Sequence, residues 1–111
     1  MRSRNVIACC LLFGAGPAQA QSSAIAPELW DRPRSARAVL AEAAVKQAVS
    51  GYLAQSGPRL VIQHGPAQES ALQAEELRSW LVALAVEPQR IALRGDLKPG
   101  EALRIGIVPA P

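Results

Sequence analysis

Two short apolar runs, Leu60-Val61-Ile62 and Ile91-Ala92-Leu93, bracket one stretch of helical periodicity. That spacing restricts the fold more than any other feature of the chain. A strand, a helix and a second strand at this distance make a βαβ unit with parallel strands. His64-Gly65-Pro66 ends the first run, and a helix is expected from about Gln68 to Ala85, closed by Glu87-Pro88. Its inward positions are Leu72, Leu77, Trp80, Leu81 and Leu84, while Glu69, Glu75, Glu76 and Arg78 face outward. The acids fall in its first half, where they complement the helix dipole. Leu60-Val61-Ile62, apolar throughout, reads as a strand covered on both faces.

The flanks complete the architecture. Ser35 suits a helix N-cap, and helix formers run from Ala36 to Gln55. Val45, Val49 and Leu53, beside Leu40, Ala44, Ala48 and Tyr52, form one apolar stripe, although Arg37-Ala38-Val39-Leu40 also suits a short strand. Ser56-Gly57-Pro58 closes the helix with Gly just past its end. Leu103, Ile105 and Ile107 alternate with Arg104 and Gly106, as in a half-buried strand at a sheet edge, returning antiparallel as a hairpin on the second strand. The expected fold class is therefore α/β (α+β): a small two-layer sandwich, a βαβ unit plus a C-terminal hairpin strand, with two helices on one face. Gln21 to Pro27 is small and polar and reads as a mobile tether. Residues 21–34 thus form a flexible lead-in to a single domain over 35–111.

The first twenty residues read as an export signal instead of as fold. Arg2 and Arg4 precede the apolar run Val6 to Phe13, and Ala18-Gln19-Ala20 is a small-x-small cleavage site. Spanning a bilayer takes about 20 apolar residues, more than this run provides. A lipoprotein cut before Cys9 would leave almost no apolar region ahead of it. Cleavage after Ala20 implies a periplasmic chain with no stable membrane insertion. Both cysteines, Cys9 and Cys10, leave with the signal, so no disulfide or thiolate chemistry is expected in the remainder. Without Arg2 and Arg4, the twelve basic residues become ten against nine acids. That near-neutral balance, with arginines scattered singly or in pairs, lacks the basic stripe of a nucleic-acid binder.

The stretch "VKQAVSGYLAQSGPRLVIQHG…LRSWLVALAVEPQRIALRGD" resembles the OmpA-like C-terminal domain, a periplasmic module that binds peptidoglycan. Val86-Glu87-Pro88-Gln89-Arg90-Ile91 is similar to that family's phrase between helix and strand, and Arg59-Leu60-Val61-Ile62 to its strand. The likeness runs from about Val39 to Val108. It implies a crevice beyond the first strand, where the family reads a diaminopimelate residue with a loop aspartate and a helix arginine. Here the loop is Gln63-His64-Gly65-Pro66-Ala67, without an acid, and the arginine position falls on Gln73. The chain thus resembles a degenerate member lacking the charged pair that carboxylate recognition uses.

Candidate ligand residues are accordingly His64, Gln68 and Gln73. His64 with Ser70 and Glu69 lacks a nucleophile elbow, an oxyanion loop and a second histidine, so it reads as a turn residue and the chain as no enzyme. One histidine without cysteine makes no metal site, and no cofactor is expected. Gly95-Asp96 and Pro99-Gly100 read as turns more than as an anion nest, and Glu75-Glu76 as a solvated face. Trp30, beside Arg32 and Arg34, either packs on the sheet or contacts a partner, since Trp and Arg are enriched at interface centres. These residues imply an exported, non-catalytic interaction module serving a cell-envelope assembly, with an envelope protein as partner. The alternative is peptidoglycan binding through an altered pocket.

Overall fold

The computed structural model describes residues 21–110. The signal segment read over residues 1–20 lies outside the described residues. Seven elements follow in order: β1 Gln21–Ala24, α1 Ala36–Ala41, α2 Ala43–Ala54, β2 Arg59–Gln63, α3 Gln68–Ala83, β3 Ile91–Arg94 and β4 Arg104–Val108, with 3-10 turns at Pro27–Asp31 and Pro88–Arg90. They form a mixed α/β fold around one four-stranded sheet ordered β1-β4-β2-β3.

β2 and β3 pair in parallel, Leu60 with Ile91 and Ile62 with Leu93, across the α3 connection that their spacing demanded. β4 is antiparallel as expected but sits elsewhere. It pairs with β2 (Ile62 with Ile105) and with β1 (Ser23 with Ile105), so with β2 it is one of the two inner strands and no hairpin on β3. The lead-in read as a tether is correspondingly structured. Ser22 and Ser23 have no strand signal of their own, yet β1 closes the sheet against β4, and Ile25 N–H continues the ladder by donating to Leu103 O at 2.8 Å. A strand of four small or polar residues forms because its partner supplies the ladder.

The expected first helix is two. Ser35 Oγ accepts from Ala38 N–H at 3.1 Å and starts α1, which settles Arg37–Leu40 as helix. Glu42 then leaves the helical region (φ −71°, ψ 123°), and α2 restarts at Ala43. Its carboxylate accepts from Ala26 N–H at 3.0 Å, tying the break to the lead-in. α3 ends near its expected limit through Ala85, a non-glycine residue at φ 77°. That left-handed position lets Val86 N–H reach back to Leu81 O.

The helices cover one face of the sheet. Leu60, Ile62 and Ile105 of that face, with Leu77 and Leu81 of α3 and Val45 of α2, have essentially no exposed surface. α2 lies so close to β4 that a Cβ on Gly51 would come within 2.6 Å of Ile107 Cδ1. On the other face Arg59, Ala92 and Arg94 are exposed and Val61 is half-buried. The expectation that β2 is covered on both faces is therefore corrected: its burial alternates, as in a sheet with a single helical layer. Leu72 and Leu53, both assigned to the core, are exposed, at 60% and 71%. Leu72 lies roughly 140–180° around the helix from Ala74, Leu77 and Leu81, the positions that face the sheet.

Candidate functional site

β2 ends at Gln63, and what happens to the next four residues shapes the site. His64 N–H donates to Arg94 O at 2.8 Å, extending the parallel ladder by one bond, and His64 O accepts from Leu97 N–H at 3.1 Å. The buried Gly65 N–H donates to Ser70 Oγ at 2.8 Å, in the first turn of α3. A Cβ on Gly65 would stand 3.4 Å from Lys98 O, so the backbones of the two loops run close together. The turn after β2 is thus pinned between α3 and the β3–β4 loop, and Pro66 and Ala67 are pushed outward to the surface.

Beyond that turn lies a cleft of about 640 Å³ with three walls: the lead-in, the start of α3 and the β3–β4 loop. Trp30, Leu72 and Gln73 line it, with Asp31, Glu69 and Glu101. Trp30 is half-buried: one side packs against the core and the residue also lines the cleft. Arg34 holds it there. Its Cζ lies 5.3 Å from the Trp30 ring centroid, and its Nη1 donates to the carbonyls of Trp30 and Arg32 at 3.1 and 2.9 Å. The other side of the same guanidinium grips Glu76 in a two-pronged ion pair at 2.6 and 3.0 Å. Glu76 also accepts from Trp80 Nε1–H at 3.0 Å.

This polar knot fastens the lead-in to α3. The Arg34 guanidinium, aided by the Trp80 indole, holds the Glu76 carboxyl below the usual carboxylate range against the opposing effect of desolvation. Glu76 in turn raises the Arg34 guanidinium above its ordinary value. Glu76 is consequently half-buried and paired, a correction to its reading as part of a solvated face.

Of the residues singled out from sequence, Gln73, Trp30 and Arg34 meet in the cleft. His64, Gln68 and Arg32 are not among its lining residues. The His64 ring turns toward the β3–β4 loop, with Nδ1 2.8 Å from Gly65 O and Cε1 3.0 Å from where a Cβ on Gly95 would stand. Gln68 is exposed at the first position of α3, and Arg32 is exposed with its carbonyl spent on Arg34. The imagined Ser70-His64-Glu69 cluster does not assemble through Ser70, whose hydroxyl accepts from the Gly65 backbone. The Gly95-Asp96 turn holds its own anion. Asp96 accepts from Arg94 Nη2 at 2.6 Å and from Gln63 Nε2 at 3.1 Å, and these bonds keep its carboxyl below the usual range.

Sequence reasoning missed Leu72, Asp31, Glu69, Glu76 and Glu101 as cleft residues. Counting the helical angle of Leu72 against Ala74 and Leu77 would have found the first. The pairing of Glu76 with Arg34, 42 residues away, leaves no local trace. Compared with known proteins, the chain matches no family model, no curated protein and no solved structure. Among the described residues no helix is long and apolar enough to cross a membrane, and no three His, Cys, Asp or Glu side chains gather as a metal site.

Proposed function

We propose that the chain is an exported, non-catalytic binding module of the periplasm, accessory to a cell-envelope assembly, and that it binds in the cleft beyond β2. The observation that carries this reading is how the cleft's polar groups are used. Ser70 holds the Gly65 turn, and the Arg34 fork holds Glu76, so these groups fix the walls and leave the apolar surface of Leu72 facing the opening. Walls tied in place by internal hydrogen bonds beside an exposed apolar side chain suit recognition. The basic and apolar N-terminal run, followed by Ala18-Gln19-Ala20, supports export.

The second reading, peptidoglycan binding by a degenerate OmpA-like domain, has one observation in its favour. Gln73, standing where the resemblance expects an arginine, lines the same cleft as Arg34, which brings a guanidinium from the lead-in. Since Glu76 already occupies that fork, the protein-partner reading is the stronger.

The test is to replace Leu72 with a photocrosslinking amino acid in cells and, in parallel, to sediment the purified protein with sacculi. A defined adduct to an envelope protein supports the first reading. Sedimentation that Leu72→Asp abolishes, without an adduct, supports the second. A chain that stays in the cytoplasm with residues 1–20 attached, or that gives neither adduct nor sedimentation, defeats both.

A further inference from the structure

The cleft has a charge sign opposite to that of the chain around it. Four carboxylates line it against one guanidinium, and that guanidinium is already paired with Glu76. Asp31, Glu69 and Glu101 remain, all exposed at the mouth, and none forms an ion pair among the described residues. Among the described residues Glu101 accepts only from the Lys98 backbone N–H, at 2.7 Å through one of its two oxygens. Beside these acids the lining combines apolar side chains, Trp30 and Leu72 with Pro27, Pro66 and Pro99, and the polar Gln73 and Ser70. Each proline fixes its own φ, so those parts of the walls have little freedom to lose when a ligand enters.

From this arrangement we propose that the occupant is a short, extended, basic-apolar peptide segment of a protein partner. Its lysine or arginine side chains would lie against Asp31, Glu69 and Glu101, and an apolar side chain between them against Leu72 and Trp30. The proposal rests on the binding-module reading and adds the chemistry of the partner to it. A volume of about 640 Å³ falls in the range of sites that enclose a drug-sized ligand, which corresponds to a few peptide residues. An anionic ligand would face the three carboxylates, and among the described residues the one guanidinium lining the cleft is already paired with Glu76.

Three acetylated, amidated tetrapeptides test this on the exported protein labelled with 15N: Leu-Lys-Leu-Lys, Leu-Gln-Leu-Gln and Leu-Glu-Leu-Glu. The lysine peptide is expected to shift the Leu72 amide and the Trp30 indole resonances and to bind at least about tenfold tighter than the glutamine peptide. That preference should shrink with added salt. It should vanish in the Asp31→Asn, Glu69→Gln, Glu101→Gln variant, whose altered side chains are all exposed, and Leu72→Lys should abolish binding. Equal affinity for the three peptides, preference for the glutamate peptide, or no shift at Leu72 and Trp30 with any of them overturns the proposal. If a Leu72 crosslink to an envelope protein forms in cells while the lysine peptide shows no preference, the binding module stands and its basic ligand falls. If neither is seen, both fall.

Discussion

Leu77 and Leu81 of α3 reach the sheet as apolar side chains with no exposed surface. The lead-in over residues 21–34 reaches the same sheet differently. It sinks two apolar side chains, Ile25 and Leu29, with Trp30 half-buried beside them, and is otherwise held by the edge ladder of β1 on β4 and by polar contacts open or half-open to solvent: Arg104 to Ser22, Glu42 to Ala26 and Arg34 to Glu76. Exposed or half-exposed polar contacts contribute little each and are screened by salt, whereas a buried leucine contributes in proportion to the surface it removes from water. One part of the molecule is a packed layer, the other a strap. The cleft lies where they meet, so its shape depends on the weaker attachment as much as on the stronger.

The largest expected effect is in the packed layer. Leu77→Ala should destabilise the protein by about 2–5 kcal/mol, read as a lower urea midpoint with an unchanged slope. Ile25→Ala removes a side chain equally buried but on the strap, and it is expected to cost less, about 1–2 kcal/mol, because the strap can open while the layer stays folded. Hydrogen exchange of the wild type should then show the Ser23 and Ile25 amides opening well before those of Leu60 and Ile62. Equal losses in the two variants, with equal exchange protection, would break the comparison and make strap and layer one cooperative unit.

The smallest effect concerns pH. Glu76 has a folded-state pKa below its ordinary value of 4.5, so its contribution is present above that pH and is lost as pH falls through the lower, folded value. Glu76→Gln should therefore be the less stable protein at pH 7, and the gap to the wild type should close on acidification below about 4.5. Urea midpoints measured from pH 7 to pH 3 check this, and a gap that stays constant would mean the pair does not fasten the strap.

The β2–α3–β3 unit could be read from the residues because its signals are local: a change of period, a His-Gly-Pro break, a proline after the helix. Ser35 as a cap was legible for the same reason. β1 was not, since Ser22 and Ser23 become a strand only through Arg104 and Ile105, some 82 residues further along. The place of β4 in the sheet depends on which strands it pairs with, and its own alternation of Ile105 and Ile107 is the same in the middle as at an edge. The cleft was half legible. Gln73 and the turn after β2 follow from the strand-to-helix switch, while its acidic mouth is assembled from three segments that only the folded chain brings together.

The position of β4 has a consequence for how the chain acquires its structure. The last of the four strands in the sequence is one of the two with neighbours on both sides, so β1 has nothing to pair with, and β2 lacks one partner, until residues 104–108 exist. A nascent chain that stops short of them holds only the parallel β2–β3 pair of the sheet, with α3 over it. Folding is then a late closing step and not a gradual accretion from the amino terminus. The distant pairing of β1 with β4 makes that step slow relative to helix formation. Until it happens, β1 and one side of β2 keep unpaired backbone groups.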